Sequence, residues 1–200
     1  MSCAYIAFTE TGLKLAESLA FSHPGSISRG GKNGVKLSDW TAENFQKSDA
    51  LIFIGAVGIA VRAIAPHCKS KATDPAVIVL DERGRFSIPI LSGHLGGAND
   101  LAKKLASICG AVPVITTATD VEGVFAVDEW AKAQNCHVLE PERIKTVSGT
   151  LLADKVVYYD SQWKITGTQP KNIFPSDENH RADFSVTLYP QSDELHLVPK

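Results

Sequence analysis

The sequence predicts an α/β fold, in which a layered domain with a mixed, mostly parallel sheet is followed by a smaller α+β module. Two continuously apolar segments, Ala50–Ile54 and Ala76–Leu80, are typical of strands that are covered on both faces. Segments whose apolar residues have helical spacing alternate with the strands, which is the pattern of layered α/β domains. Phe86–Leu91 follows the second strand after a short turn, and this spacing predicts a β-hairpin with one antiparallel strand.

The layered domain begins with a strand and a helix. Residues 4–8 form a short apolar strand, and residues 13–20 carry one apolar face at helical spacing. Residues 22–34 are rich in glycine, serine and lysine, and this composition predicts an irregular connection. A helix that contains Trp40 as a core residue then leads to the strand Ala50–Ile54.

The remaining elements of this domain repeat the order of strand, turn and helix. After Ala50–Ile54 a glycine-containing turn opens an apolar helix that ends at Pro66. After the hairpin, a helix opens near residue 98 and ends at Gly110, a typical residue for a helix C-terminus. Residues 112–115 form the last strand.

The character of the sequence changes after about residue 134. A helix at 141–152 and strand-like segments at 137–139, 155–159, 184–188 and 195–198 surround a polar loop at 166–182. We therefore divide the chain into an α/β domain with glycine-rich loops at 1–135 and a smaller α+β module at 136–200.

The overall composition excludes several classes of protein. The chain is 44% apolar and 21% charged with a net charge of −2, which argues against a nucleic-acid partner. It has no apolar run of membrane-spanning length and no signal-type N-terminus, so we expect a cytoplasmic protein without a membrane partner. The four cysteines are widely spaced, and this predicts free thiols.

The segment 88–99, IPILSGHLGGAN, has the features of a functional site. An apolar strand enters a glycine-rich turn, and a helical pattern begins directly after it. Backbone N–H groups at such a helix start, together with the helix dipole, favour an anionic ligand. The turn also holds one titratable side chain, His94. The alternative is a tight turn with a hydrogen-bonded surface histidine, because the segment is neither a P-loop nor a dinucleotide-binding fingerprint.

Three other loops support the functional interpretation. Loops 9–12, 55–58 and 116–120, like 92–97, each follow a strand. In an open α/β sheet such loops gather at the carboxyl ends of the strands, where ligands bind. We therefore expect the four loops to form one binding site.

Several sequence blocks resemble the family of the cobalamin biosynthesis protein CbiG. The blocks are GAVGIAVRAIAP at 55–66, KATDPAVIVLDERGRFSIPILSGHLGGANDLAKKLA at 71–106, PVITTATD at 113–120, FAVDEWAK at 125–132 and the closing DELHLVPK. The resemblance implies a cobalt-precorrin-5A hydrolase of the anaerobic cobalamin pathway, which opens a δ-lactone on a cobalt-bearing tetrapyrrole, releases acetaldehyde and gives cobalt-precorrin-5B. The family normally continues into a C-terminal domain, which we expect to be absent from this chain because it stops at Lys200.

The residues of the loops can be assigned roles in a lactone hydrolysis. His94 has the chemistry of a general base, and the N–H groups of Gly96 and Gly97 are candidate donors to the oxyanion. Asp120 or Asp81 is a candidate to orient the histidine, and each is equally interpretable as a cap or turn residue. The expected substrate-binding residues are Gly55, Gly58, Arg62, Arg85, Ser92, Gly93, Gly96, Gly97, Asn99, Thr116, Thr117 and Thr119.

The resemblance also implies which cofactors and partners to expect. Cobalt would arrive inside the substrate, so we expect no cofactor and no metal site in the protein. The expected partners are the cobalt-tetrapyrrole substrate and a C-terminal domain or neighbouring enzymes of the pathway. Two alternatives remain from the residues themselves: a non-catalytic tetrapyrrole-binding module, and a generic anion-binding or nucleotide-binding α/β domain.

Overall fold

The computed structural model describes residues 1–71, 73–190 and 193–200 of the chain. These residues form two compact units, Met1–Ile115 and Thr116–Lys200. Among the described residues, none of the helices has the length and apolarity that crossing a membrane requires. All four cysteines have free thiols, as their spacing predicted.

The first unit is a six-stranded sheet with helices on both faces. Its elements in chain order are β1 (Cys3–Ala7), α1 (Glu10–Ser22), β2 (Gly25–Arg29), α2 (Leu37–Lys47), β3 (Ala50–Ile54), α3 (Val57–Ile64), β4 (Ala76–Leu80), β5 (Phe86–Leu91), α4 (Ala98–Cys109) and β6 (Val112–Pro113). The strand order is β2-β1-β3-β4-β5-β6. The sheet is parallel except where β5 pairs with β4, so the predicted mixed, mostly parallel sheet is confirmed.

The apolar strands form a core on both faces because successive side chains of a strand point to opposite sides. One face packs against α1 and α4 and buries Tyr5, Ile52, Ile78, Leu19 and Leu105. This arrangement explains why the central strands are apolar without alternation.

The second face of the sheet packs against α2 and α3. Its buried residues include Ile6, Phe53 and Val79 from the strands, and Trp40 and Ile64 from the helices. The Trp40 and Phe53 rings meet edge to face with centroids 5.5 Å apart, so Trp40 is a core residue as predicted.

One strand of the first unit lies in a segment for which the sequence predicted an irregular connection. Residues 22–34 contain β2, whose sequence GSISR has no apolar alternation. β2 is an edge strand with mostly exposed side chains, and its main chain pairs with β1 in parallel register. The main-chain pairing with β1 and an ion pair between Arg29 and Glu10 of α1 stabilise this strand, and neither gives a hydrophobic pattern in the sequence.

The hairpin between β4 and β5 confirms the predicted antiparallel element. Leu80 pairs with Ser87 and Val77 pairs with Leu91. The end of β5 therefore lies beside the beginning of β4, at the edge of the sheet opposite to the carboxyl ends of β1, β3 and β4. This reversal decides where the loop after β5 is placed.

The second unit contains a five-stranded sheet and three α-helices. Its elements are α5 (Ala118–Glu122), α6 (Val127–Ala133), β7 (Cys136–Val138), a 3₁₀ turn (Pro141–Arg143), α7 (Ile144–Leu152), β8 (Val157–Ser161), β9 (Ile173–Pro175), β10 (Phe184–Val186) and β11 (Leu195–Pro199). The strand order is β7-β11-β10-β8-β9, with only β7 antiparallel to its neighbour. β9 lies within the segment 166–182, which the sequence had suggested to be a loop.

The units divide after Ile115, whereas the sequence suggested a boundary near residue 135. Residues 116–135 fold with the second unit because their apolar side chains are part of its core. The Phe125 and Trp130 rings both pack against Phe184 of β10, with centroids 6.2 and 6.4 Å apart. The change in sequence composition after residue 134 coincides with the end of α6 and not with a boundary between the units.

The turn between β4 and β5 depends on one carboxylate. Asp81 accepts the backbone N–H groups of Arg83 at 3.1 Å, Arg85 at 2.8 Å and Phe86 at 2.9 Å. Burial raises the pKa of Asp81, but these hydrogen bonds and the Arg85 side chain outweigh it, so the pKa lies below its ordinary value. Asp81 is therefore a turn residue.

We predict that Asp81→Asn lowers the free energy of unfolding by about 1–3 kcal/mol, because three backbone donors lose a charged acceptor. A carboxylate with a lowered folded-state pKa contributes stability above its unfolded-state pKa of about 3.9 and loses it as the pH falls through the folded-state value. Urea denaturation at several pH values should show the difference between wild type and variant shrinking in acid. Arg83→Ala is the matched control, and an equal loss in that variant would contradict the assignment.

Candidate active site at the glycine-rich loop

The loop between β5 and α4 is held together by its own backbone. The N–H of Gly97 donates to the carbonyl of His94 at 2.9 Å. The next two N–H groups, of Ala98 and Asn99, donate to the carbonyls of Ser92 and Gly93 at 3.1 and 3.0 Å. The N–H groups of Gly97, Ala98 and Asn99 at the start of α4 therefore already have acceptors. The prediction that the N–H of Gly97 donates to an oxyanion is not supported. Gly96 stays a candidate donor.

Ser92 and Asn99 hold the loop from inside. Ser92 is 8% exposed with a φ of 57°, and its hydroxyl donates to the Asp74 carbonyl at 2.9 Å. Asn99 is 2% exposed and lies under Gly93. Both side chains are buried, and the assignment of these two residues to substrate binding stays a prediction.

Close packing inside the loop requires its glycines. A Cβ at Gly96 would overlap the Ser92 side chain and lie 2.8 Å from the Ser92 carbonyl oxygen. A Cβ at Gly93 would lie 2.9 Å from Oδ1 of Asn99. Gly97 has a φ of 80°, a conformation that favours glycine. The glycines therefore serve the compactness of the turn, and this positions the half-buried His94 side chain on a fixed backbone.

A basic segment is attached to the glycine-rich loop through Asp74. The Asp74 carboxylate accepts the N–H groups of Lys69 at 2.8 Å and Ser70 at 3.1 Å, while its carbonyl binds Ser92. Lys69 and Lys71 have exposed side chains. These lysines were not predicted to belong to the site, although the run KSK at 69–71 indicates a basic loop.

Five predicted site residues, including Arg62, lie at the opposite edge of the sheet from His94. The turn that holds Asp81 and Arg85, and the loop that holds Gly55 and Gly58, follow the carboxyl ends of β4 and β3. The two loops meet directly, since the N–H of Gly55 donates to the Leu80 carbonyl at 2.8 Å. The prediction that loops 9–12 and 55–58 share one edge of the sheet with 92–97 is wrong, because β1 and β3 run parallel to β4 whereas β5 runs antiparallel to it.

The charged groups at that opposite edge have local partners. The Arg62 guanidinium lies on α3 and donates to the Gly58 carbonyl at 2.9 Å. Nε of Arg85 lies 3.4 Å from the Asp81 carboxylate. Gly55 accommodates the Phe8 ring, which would lie 3.1 Å from a Cβ at this position. These residues do not form one site with His94.

The remaining predicted residues belong to the second unit. Thr117 is the N-cap of α5, and its carbonyl accepts the N–H of Val121 at 3.0 Å. Thr119 is 6% exposed, whereas Thr116 is exposed and Asp120 is half-buried. The assignment of Thr116, Thr117, Thr119 and Asp120 to the site of His94 stays a prediction.

The comparisons with known proteins identify the family. The model of the cobalamin synthesis G N-terminal region, CbiG_N, matches residues 39–120. Residues 39–120 belong to the CbiG family. The resemblance seen in the sequence blocks is thereby confirmed.

Two relatives extend the similarity along the chain. The chain is 41% identical over 193 residues to the cobalt-precorrin-5A hydrolase of Salmonella typhimurium, which covers 90% of this chain and 55% of the relative. It is 41% identical over 135 residues to the cobalt-precorrin-5A hydrolase of Priestia megaterium, covering 64% of this chain and 36% of that relative. The chain thus spans about half of the length of the first relative and about a third of the length of the second.

A solved structure shows the same fold. The crystal structure of a cobalamin biosynthesis protein G homologue from Sulfolobus solfataricus superposes with a TM-score of 0.58 at 23% identity. It covers 99% of this chain and 60% of that chain. The α/β fold class predicted from the sequence is confirmed.

We predict that Gly96→Ala destabilises the first unit by about 1–3 kcal/mol, because the added methyl group meets the Ser92 side chain and backbone. Gly149→Ala is the matched control: it lies in α7 with nothing within 4 Å of the added carbon, and should gain about 0.5–1 kcal/mol from helix propensity. Chemical denaturation of both variants measures this. An unchanged midpoint for Gly96→Ala would show that the loop is loosely packed.

Proposed function

We propose that this CbiG-family chain takes part in cobalamin biosynthesis by hydrolysing cobalt-precorrin-5A. In the proposed reaction the δ-lactone opens and acetaldehyde is released, to give cobalt-precorrin-5B. The observation that carries the proposal is the 41% identity to a cobalt-precorrin-5A hydrolase over an alignment of 193 residues that covers 90% of this chain. We further propose a cytoplasmic location, and no cofactor other than the cobalt in the substrate.

His94 is the proposed general base. An imidazole ordinarily titrates near neutral pH, so it can take a proton from the water that attacks the lactone carbonyl. The N–H of Gly96 is the proposed donor to the oxyanion that forms in this step. A rigid loop favours this chemistry, because a base and a donor held on one fixed backbone need little reorganisation during the reaction.

Of the two carboxylates predicted to orient the histidine, only Asp120 remains a candidate. Asp81 lies at the opposite edge of the sheet and uses its oxygens on the hairpin turn. Arg62 and Arg85 were predicted to bind the carboxylates of the substrate. In this proposal Lys69 and Lys71 bind them instead. These lysines are exposed and are connected to the loop of His94 through Asp74 and Ser92.

The geometry disfavours the alternative of a generic phosphate or nucleotide binder. Such sites use free N–H groups at a helix N-terminus, and the N–H groups of Gly97, Ala98 and Asn99 are occupied by the loop's own carbonyls. A non-catalytic tetrapyrrole-binding module remains an outcome that the activity test distinguishes.

We predict that His94→Ala lowers the rate of acetaldehyde release from cobalt-precorrin-5A by about a hundredfold or more, because a general base is removed. His137→Ala, on an exposed position of β7, is the matched control and should retain the wild-type rate. Both variants should keep the wild-type circular dichroism spectrum. Full turnover by His94→Ala would show that the histidine is structural, and binding without turnover by the wild type would indicate a non-catalytic module.

We predict that the double variant Lys69→Ala/Lys71→Ala raises the KM for cobalt-precorrin-5A by about tenfold with little change in kcat, because two charges that bind carboxylates are lost. Lys14→Ala, on the exposed face of α1, is the control for a general change in charge. The KM should also rise with salt in the wild type and less so in the double variant. An unchanged KM would assign the carboxylates of the substrate to other residues.

A further inference from the structure

The second unit contains an open cleft of about 310 Å³ to which the proposed chemistry gives no role. Its apolar walls come from Trp130 on α6 and from Trp163 and Ile165 after β8, and its polar groups include Gln134 and Lys164. The volume lies at the lower end of the range for small-molecule sites. These residues lie outside the segment that the family model matches.

The Trp130 side chain, which forms one wall of the cleft, packs against other aromatic rings. Phe125 lies 6.1 Å from the Trp130 ring, and Phe184 meets it edge to face at 6.4 Å. Tyr159 stacks on Phe184 at 6.0 Å and extends the cluster. A half-buried indole supported in this way presents one rigid face to the cleft.

Trp163 is an exposed aromatic side chain on a fixed turn. It is 44% exposed, yet its N–H donates to Oγ of Ser161 at 3.1 Å, and this hydroxyl donates to the Trp163 carbonyl at 2.8 Å. The adjacent Gln162 accepts the N–H of Leu188 at 2.9 Å through its side chain. Ile165, which also lines the cleft, is exposed as well, and neighbouring exposed apolar side chains are typical of a binding surface.

A positive charge stands beside the exposed indole. Lys164 is exposed and lines the cleft directly after Trp163. In the part of the chain that the structure describes, no acidic side chain forms an ion pair with it. A flat apolar surface with a free ammonium group at its edge is complementary to a conjugated ring that carries a carboxylate.

We propose that this cleft binds a flat, conjugated carboxylic acid, which stacks on Trp163 and places its carboxylate at Lys164. The cleft has room for one ring edge of a macrocycle or for a whole small aromatic acid, so the ligand comes either from a carboxylated tetrapyrrole or from a small aromatic acid. The proposal does not depend on hydrolysis, because it concerns binding in the second unit.

The test is isothermal titration calorimetry of the whole chain with three probes. Cobyrinic acid represents a carboxylated tetrapyrrole, cobinamide represents a similar ring with amides in place of carboxylates, and 2-naphthoate represents a small aromatic acid. Cobyrinic acid should bind more tightly than cobinamide. Binding of 2-naphthoate with an affinity equal to that of cobyrinic acid would assign the cleft to small aromatic acids, and its failure to bind would assign the cleft to tetrapyrroles.

The variants test the two contacts separately. Trp163→Ala should weaken binding about tenfold, and Trp163→Phe should retain most of it, because an aromatic face remains. Lys164→Ala should weaken binding of the acids about threefold to tenfold and leave cobinamide unaffected. Lys145→Ala, an exposed position on α7, is the charge control. Circular dichroism checks that each variant is folded.

The outcomes separate this proposal from the hydrolase proposal. Weaker binding of cobyrinic acid by Trp163→Ala, with unchanged binding by Lys145→Ala, tests the cleft, whereas the rate of acetaldehyde release by His94→Ala tests the hydrolase proposal. Failure of the wild type to bind any of the three probes would overturn the proposal. Equal affinities of Trp163→Ala and wild type would overturn it as well.

Discussion

The hydrogen bonds of the Asp81 carboxylate stabilise the turn at which the chain of the first unit reverses direction. By binding the N–H groups of Arg83, Arg85 and Phe86, this carboxylate closes the turn that reverses β5 against β4. A parallel β5 would place its following loop beside the loops after β1 and β3. The reversal places the loop of His94 at the other edge, so the two sets of glycine-containing loops in this unit have separate surroundings.

The loop of His94 is stabilised by satisfying its own polar groups. Ser92 adopts a positive φ so that its hydroxyl reaches Asp74 while its carbonyl receives the N–H of Ala98. This conformation costs backbone strain, which the buried hydrogen bonds offset. The consequence for function is a rigid turn with few unoccupied donors, which suits the positioning of a base better than the binding of an anion by helix N–H groups.

The sequence was sufficient to predict those parts of the fold that depend on burial. The strands β3 and β4, the hairpin and the core position of Trp40 all follow from apolar patterns, and the structure confirms them. β2 was missed because an exposed edge strand needs no apolar pattern. The predicted convergence of four loops was wrong although the hairpin itself was predicted. The end of the sheet at which a loop lies depends on the direction of the strand before it, and β5 runs antiparallel. The hydrogen bonds that occupy the first N–H groups of α4 could not be predicted from the sequence either, since they depend on the backbone angles of Ser92.

In the proposed reaction, recognition of a large substrate requires contacts beyond those of the glycine-rich loop. Its buried polar side chains, Ser92 and Asn99, face the protein, and of its side chains only the half-buried His94 can titrate. Binding energy for a polycarboxylated ring must then come from exposed cations and from apolar faces. Within the described residues these features occur in the lysines beside Asp74 and in the cleft lined by Trp163 and Lys164. In the proposed reaction the loop positions His94 and the N–H of Gly96 while other surfaces bind the ring, because the N–H groups of Gly97, Ala98 and Asn99 are already used within the loop.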